Sequence, residues 1–279
     1  NSTQVLAEVV FDNPGMDFIK ADGLLVQGGG QSILKANNID LATASLSVRS
    51  SDAFGSLTVF ANNLNAYSIS TILRSSNQSS AQYISDLVIN ETTQLNSINL
   101  DSLKQDSNPN LISQCFSLTT KKLEIDGQNH DAIHLTTGAA SVPGQPNTQL
   151  ITNLEVETIN VNTTANAIFV SGNGLPQSDN DGTSLTITGK DITLKGSAGH
   201  YYSTNVAVYA EQGATINLVG KENGSSLTIE ALKTQPTEYL GDTAIYAKDS
   251  TINASFGKQS KINIQGNLIA WRFANNDYL

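Results

Sequence analysis

The chain has 279 residues, of which only 14% are charged, and its formal net charge at pH 7 is −10. This acidic balance argues against nucleic acids and anionic membranes as partners, because both require an excess of Lys and Arg. The single cysteine, Cys115, excludes an intramolecular disulfide. No uninterrupted apolar segment approaches the roughly 18 residues of a membrane-spanning helix.

The N-terminal part shows irregularly spaced strands. Residues 1–19, which include Asn13-Pro14-Gly15, are predicted to form either a cap over an exposed strand edge or the first coil of a repeat structure. From about residue 20, short apolar–polar alternations are typical of half-buried strands, and no helical stripe extends over a long window. These strands are predicted at residues 24–26, 39–41, 46–48, 57–59, 87–89 and 95–100.

The C-terminal half contains a four-residue repeat of small and apolar residues. Its copies begin at Ala132, Ala167, Ala207 and Ala244, with separations of 35, 40 and 37 residues. A weaker fifth copy, Leu268-Ile269-Ala270-Trp271, is placed 24 residues later, so that Ile269 corresponds to the second residue of each earlier copy. Each of the last two full copies is followed by two more short strands, at residues 213–220 and 226–230, and at residues 250–254 and 260–266.

A repeat of this size indicates a solenoid, because one copy is too small to bury its own apolar face. The sequence therefore predicts an all-β fold, a right-handed parallel β-helix with three short strands and about 20–25 residues per coil. It is expected to cover residues 20–279, with further coils missing at the C-terminus because the pattern is still repeating there. Longer repeats carry extra residues at 136–149, 171–183, 197–205 and 235–242, which are predicted to be projecting loops.

The segments at residues 207–220 (AVYAEQGATINLVG) and 244–253 (AIYAKDSTIN) resemble the passenger domains of Gram-negative autotransporter adhesins, the pertactin-like and AIDA-like group. The resemblance covers roughly residues 120–270. It implies a β-helix that is exported across the outer membrane and is exposed at the cell surface or secreted. It also implies that membrane attachment occurs only through a translocator barrel, which this chain does not contain.

Two groups of residues suggest metal chemistry at first sight. His130 and His134 lie near Asp126 and Asp131. On a strand, side chains four residues apart are about 13 Å apart, too far to share one zinc ion, and only a turn between the two histidines would bring them together. Asp179 and Asp181 lie in a stretch similar to part of a calcium loop, which lacks the remaining carboxylates and the closing Glu. Neither a metal nor another cofactor is predicted.

The strongest binding candidates are His200, Tyr201 and Tyr202, in a segment flanked by Gly and Ser. Paired aromatic rings can stack on a sugar or anchor a protein contact, although one ring could instead pack back on the solenoid. Asp179 and Asp181 are added to this set as loop residues, and no catalytic residue is assigned.

The predicted function is adhesion to a host glycan or extracellular protein, or self-association between cells. Self-association would use outward rows of amides and hydroxyls that include Asn217, Thr228, Asn253 and Asn263. The alternatives are a β-helical polysaccharide-degrading enzyme and a phage tailspike-like glycan binder. The acidic residues are scattered along the chain, and the only arginines are Arg49, Arg74 and Arg272, which leaves little to neutralise an acidic sugar.

Overall fold

A computed structural model describes most of the chain: residues 7–12, 18–20, 24–27, 30–51, 54–75, 81–104, 112–138, 148–172, 182–196, 198–199, 205–232 and 242–271. All regular elements in these ranges are β-strands, which confirms the all-β prediction. In the same ranges there is no helix with the length and apolar character needed to span a membrane.

The described strands form nine successive coils. Coil 1 contains β1 (Ala7–Asp12), β2 (Phe18–Lys20) and β3 (Leu24–Gln27). Coil 2 consists of β4 (Gly30–Ser51), and coil 3 consists of β5 (Phe54–Ser75). Coil 4 contains β6 (Ala81–Leu95) and β7 (Ser97–Lys104), and coil 5 contains β8 (Ile112–Gln128) and β9 (Ile133–Thr137). Coil 6 contains β10 (Thr148–Thr163) and β11 (Ile168–Ser171), and coil 7 contains β12 (Gly182–Gly189), β13 (Asp191–Gly196), β14 (Ala198–Gly199) and β15 (Asn205–Glu211). Coil 8 contains β16 (Thr215–Gly220), β17 (Ser226–Ala231) and β18 (Asp242–Lys248). Coil 9 contains β19 (Thr251–Ser255), β20 (Lys261–Gln265) and β21 (Asn267–Trp271).

Parallel pairing between consecutive coils produces three ladders, which confirms the parallel β-helix with three strand segments per coil. The first ladder links β1, the first parts of β4, β5, β6, β8 and β10, and then β12, β16 and β19. The second ladder runs from β2 through the later parts of the long strands to β13, β17 and β20. The third runs from β3 through the ends of β4 and β5 to β7, β9, β11, β15, β18 and β21.

The repeat register is confirmed for the first four copies, since Ile133, Ile168, Val208 and Ile245 are successive partners on the third ladder. The fifth copy was placed one residue too late, because Ile245 pairs with Leu268 and not with Ile269. The register shifts between Thr243 and Ile245. The preceding turn is tight there: Gly266 has a φ of 132°, and a Cβ atom on it would lie 2.7 Å from the Ala244 nitrogen.

The core lies inside the tube and is built from aliphatic side chains that stack coil on coil. Alternation along each strand directs one set of side chains inward, so that residues such as Ile133 and Leu135 are buried while His134 between them points outward. A polar exception occurs in coil 5. Gln114 donates to the Thr71 hydroxyl and accepts a hydrogen bond from the Ser102 hydroxyl at 2.9 Å, and all three side chains are buried.

Outside the tube, amide side chains hydrogen-bond from one coil to the next. Asn90 donates its Nδ2 to Asn62 at 2.9 Å, and Asn62 donates to Asn37 at 3.2 Å. Farther along the solenoid, Asn253 donates to Asn217 at 2.9 Å. The predicted outward orientation is confirmed for Asn217 and Asn253, and part of their hydrogen-bonding capacity is used within the chain.

Candidate binding surface on the third ladder

Four aromatic side chains form a continuous column on the outward side of the third ladder. His134, Phe169, Tyr209 and Tyr246 are successive register partners in coils 5 to 8. Their ring centroids are separated by 4.8 Å, 5.4 Å and 5.2 Å along the column. Adjacent strands of a sheet are about 4.8 Å apart, close to a favourable ring separation, so identical positions on successive coils stack without adjustment.

Tyr209, near the centre of the column, is buried and is hydrogen-bonded to a carboxylate. Tyr209 is only 4% exposed although its strand position points outward, and its hydroxyl donates to Glu211 Oε2 at 2.8 Å. Burial first, and then the hydrogen bond to the Glu211 carboxylate, raise the pKa of Tyr209 above the usual tyrosine range. The Tyr209 ring is therefore a fixed, neutral member of the column at ordinary pH.

Asp131 fixes His134, the ring at the N-terminal end of the column. Its Oδ2 lies 2.9 Å from His134 Nδ1, and its Oδ1 accepts hydrogen bonds from the backbone and side-chain nitrogens of Asn166. The His134 side chain remains 33% exposed. Among the described residues, no three His, Cys, Asp or Glu side chains are grouped closely enough to hold a metal ion.

A polar row runs beside the column, two residues farther along each strand. The Thr136 hydroxyl donates to Asp101 Oδ1 at 2.5 Å, and the Ser171 hydroxyl donates to Glu211 Oε1 at 3.3 Å. The third ladder therefore pairs a column of aromatic rings, in which His134, Phe169 and Tyr246 are partly exposed and Tyr209 is buried, with a row of hydroxyls and carboxylates. Such a pairing suits ligands that present both apolar patches and hydroxyls, as sugars do.

The column ends abruptly toward the N-terminus. The positions in register with His134 in coils 2 to 4 are Ser47, Ser70 and Asn99, all of which have short polar side chains. The His134 ring is therefore the last ring of the column, and it borders a surface of short polar side chains formed by Ser47, Ser70 and Asn99, called the floor below. Two exposed arginines, Arg49 and Arg74, lie on the same ladder beside this floor.

The predicted site residues adjoin this surface in the chain, but all five lie outside the described residues. His200, Tyr201 and Tyr202 belong to the connection between β14 and β15, two strands that pair antiparallel as a short hairpin, and β15 carries Tyr209. Asp179 and Asp181 belong to the connection between β11 and β12. Residues 139–147 and 233–241, the other long insertions, likewise adjoin β9 and β18 in sequence.

Sequence reasoning missed the aromatic column although its signal was present. The third residue of each repeated four-residue segment is aromatic: His134, Phe169, Tyr209 and Tyr246. Once the segments are placed in parallel register, that regularity alone predicts a stack. The predicted binding residues lie instead in the insertions between the repeats.

The outward side of the first ladder carries a different surface. Phe54, Phe60 and Ile84 are 48%, 41% and 46% exposed in coils 3 and 4. Ile84 is in register with Cys115, which is in turn in register with Ile151, and both are partly exposed. This apolar surface, from Phe54 to Ile151, is called the first-ladder patch below.

Comparisons of the chain with protein-family models, with curated proteins and with solved structures gave no match in any of the three.

Proposed function

We propose that the chain is a surface-exposed adhesin of the autotransporter passenger kind, and that it binds a host glycan or extracellular protein on the outward side of its third ladder. The observation that carries this proposal is the aromatic column with its parallel polar row. The resemblance of residues 207–220 and 244–253 to autotransporter adhesins supports the cellular location.

The column fits a binding role because it is rigid before any ligand arrives. Its rings are carried by strands that are paired on both sides, and Asp131 and Glu211 fix His134 and Tyr209. Preorganised side chains lose little conformational entropy when a ligand binds, so more of the contact free energy appears as affinity. The long insertions adjoin the same ladder, and loops on a rigid scaffold commonly supply specificity.

The proposal is tested by screening the wild-type chain on glycan and extracellular-matrix arrays. Two variants probe the surface, His134→Ala in the column and Tyr201→Ala with Tyr202→Ala in the adjoining connection. Phe60→Ala, which removes an exposed ring from the first ladder, is the control. We expect saturable binding that is weakened in at least one test variant and unchanged in the control.

Two results would contradict the proposal. Absence of binding by the wild-type chain would remove the adhesin function, and binding lost only in the Phe60→Ala control would move the site to another face. The same arrays are assayed for released sugar fragments. Fragment release that follows the amount of protein would favour the alternative of a polysaccharide-degrading enzyme.

The first-ladder patch favours a second candidate function, association between copies of the chain. Flat β-sheet faces pack on each other with their side chains interdigitated, and a second copy offers a surface of matching shape. Sedimentation velocity at increasing concentration tests this candidate. The wild-type chain is expected to dimerise, and Ile84→Lys is expected to stay monomeric; a wild-type chain that remains a monomer throughout would exclude it.

A further inference from the structure

We propose that the N-terminal end of the third-ladder surface selects acidic sugars, those carrying carboxylate or sulfate groups. The site consists of Arg49, Arg74, the floor formed by Ser47, Ser70 and Asn99, and the exposed face of His134. This inference rests on the proposed function, since it names the ligand class of the same surface.

The two arginines lie close enough to bind one ligand. Arg49 is in register with Ile72 in coil 3, and Arg74 follows two residues after Ile72 on the same strand and the same outward side. With strands about 4.8 Å apart and a rise of about 3.3 Å per residue, the Cα atoms of this diagonal pair are roughly 8 Å apart. Two side chains of this length can therefore reach neighbouring acidic groups on one oligosaccharide.

Neither arginine is paired with a carboxylate among the residues that the structure describes. Both side chains are exposed, and neither forms a hydrogen bond or an ion pair with another described residue. Lysines elsewhere behave differently, since five of them pair with a glutamate: Lys121 with Glu91, Lys122 with Glu124, Lys190 with Glu222, Lys195 with Glu230 and Lys221 with Glu155. The free guanidinium groups are thus a local positive feature of a chain whose net charge is −10.

Among the described residues, the carboxylate of Asp101 lies on the same ladder as the two arginines and accepts a hydrogen bond from the next coil. Asp101, in coil 4, accepts the Thr136 hydroxyl from coil 5 at 2.5 Å, whereas Arg74 lies in coil 3. Asp101 is in register with Ile72 and is therefore a diagonal neighbour of Arg74, but its Oδ1 is engaged by Thr136 and it forms no ion pair with either arginine. Arginine presents a planar fork of N–H donors that matches a carboxylate or sulfate in two hydrogen bonds, so the free pair favours ligands with such groups.

The surroundings favour a sugar over other anions. The hydroxyls of Ser47 and Ser70 offer hydrogen bonds to ring hydroxyls, and so does the amide oxygen of Asn99, whose Nδ2 donates to the Ser97 hydroxyl at 3.0 Å. The His134 ring offers an aromatic face at the end of the column. A nucleic acid needs neutralisation of many phosphates, which two arginines on a strongly acidic chain do not supply. The sequence predicts little capacity to neutralise an acidic sugar because arginines are few, and the inference assigns that capacity to Arg49 and Arg74, which the fold brings to one ladder.

Isothermal titration tests the inference with three probes of equal length: an oligogalacturonate, a heparin-derived oligosaccharide and a neutral malto-oligosaccharide. The wild-type chain is compared with Arg49→Gln/Arg74→Gln and with Lys121→Gln/Lys122→Gln, which removes the same charge from coil 5. We expect at least one acidic probe to bind about tenfold more tightly than the neutral probe, and the arginine variant to lose that preference. The lysine variant is expected to bind like the wild type.

Several outcomes overturn the inference. Equal affinity for acidic and neutral probes, or no binding of either acidic probe, removes the selectivity. An equal loss in the lysine variant shows that overall charge, and not this site, is responsible. Binding of the neutral probe without acidic preference leaves the proposed function standing, whereas failure of the array screen removes both. Circular dichroism and thermal unfolding of each variant establish that the fold is kept.

Discussion

Gly172 in coil 6 and Gln212 in coil 7 approach so closely that a Cβ atom on Gly172 would lie 2.2 Å from the carbonyl oxygen of Gln212. The Gly172 nitrogen also donates to the Glu211 carbonyl at 3.0 Å. Gln212 itself has a φ of 55°, in the left-handed region that a non-glycine residue adopts at a cost. The two turns are therefore packed backbone against backbone, with no side chain between them that can move.

Gly172→Ala is expected to destabilise the chain by about 1–3 kcal/mol, because the new methyl group forces the backbone of the neighbouring turn to shift. Chemical denaturation measures the loss. Gln212→Gly is the matched variant at the same contact, and it is expected to be neutral or slightly stabilising, because glycine adopts this φ without penalty. An unchanged midpoint for Gly172→Ala would show that the two turns are not in close contact.

Removal of the central ring of the aromatic column is expected to cost more than removal of an exposed ring. Phe169→Ala loses its stacking with both His134 and Tyr209, each pair contributing about 0.5–1.5 kcal/mol beyond area burial. Phe60→Ala is the control, since the Phe60 ring is exposed. The described interaction of this ring is with the Lys35 ammonium, and it is not stacked on another described aromatic ring. Urea unfolding that gave equal losses for the two variants would contradict a cooperative column.

The buried polar group in coil 5 predicts a non-additive set of substitutions. Gln114→Leu alone is expected to destabilise the chain by about 1–3 kcal/mol, because the Thr71 and Ser102 hydroxyls lose their partner inside the tube. Adding Thr71→Val and Ser102→Ala is expected to recover much of that loss, since no buried hydroxyl then remains unpaired. A triple variant whose loss equals the sum of the three single losses would argue against this network.

Tyr83→Phe is expected to stabilise the chain by about 1 kcal/mol, because the buried Tyr83 hydroxyl has no hydrogen-bond partner among the described residues.

Burial raises the pKa of Tyr83 above its ordinary value of 10.0, so the folded chain resists ionisation that the unfolded chain permits. The stability of the folded chain is therefore unaffected by this group below pH 10 and falls as the pH rises above that value, where the unfolded chain ionises Tyr83 and the folded chain does not. Denaturation at pH 8 and at higher pH should show a shallower loss for Tyr83→Phe than for the wild type.

The sequence predicts the fold well because its signals are local and repeated. Alternation at Leu185-Thr186-Ile187 defines a strand face, and the spacing from Ile133 to Ile245 defines the parallel register over four copies. The register at Ile269 was wrong because a bulge at Ala244 leaves no mark in the alternation. Each repeat was read along the chain, whereas a bulge is a property of two paired strands.

The candidate surface was harder to predict because it depends on neighbours between coils. Arg49 and Arg74 are 25 residues apart and look unrelated in the sequence, and only the register of β4 on β5 brings them to one ladder. The ring column is likewise hard to see in the sequence, because insertions separate Phe169 from Tyr209 and only the register of β11 on β15 brings the two rings together. The binding residues chosen from composition, Tyr201 and Tyr202, adjoin that column in the chain and remain a prediction.

The direction of the backbone hydrogen bonds has a mechanical consequence. Nearly all ladder bonds run parallel to the solenoid axis, so tension between distant coils loads them one rung at a time. Successive coils are joined by 25 residues between Gly30 and Gly55, and by 36 between Cys115 and Ile151. Each coil that peels away therefore releases roughly 90–125 Å of slack chain. Under tension the solenoid therefore yields stepwise and keeps its remaining coils intact, so that mechanical work is dissipated over many separate rungs.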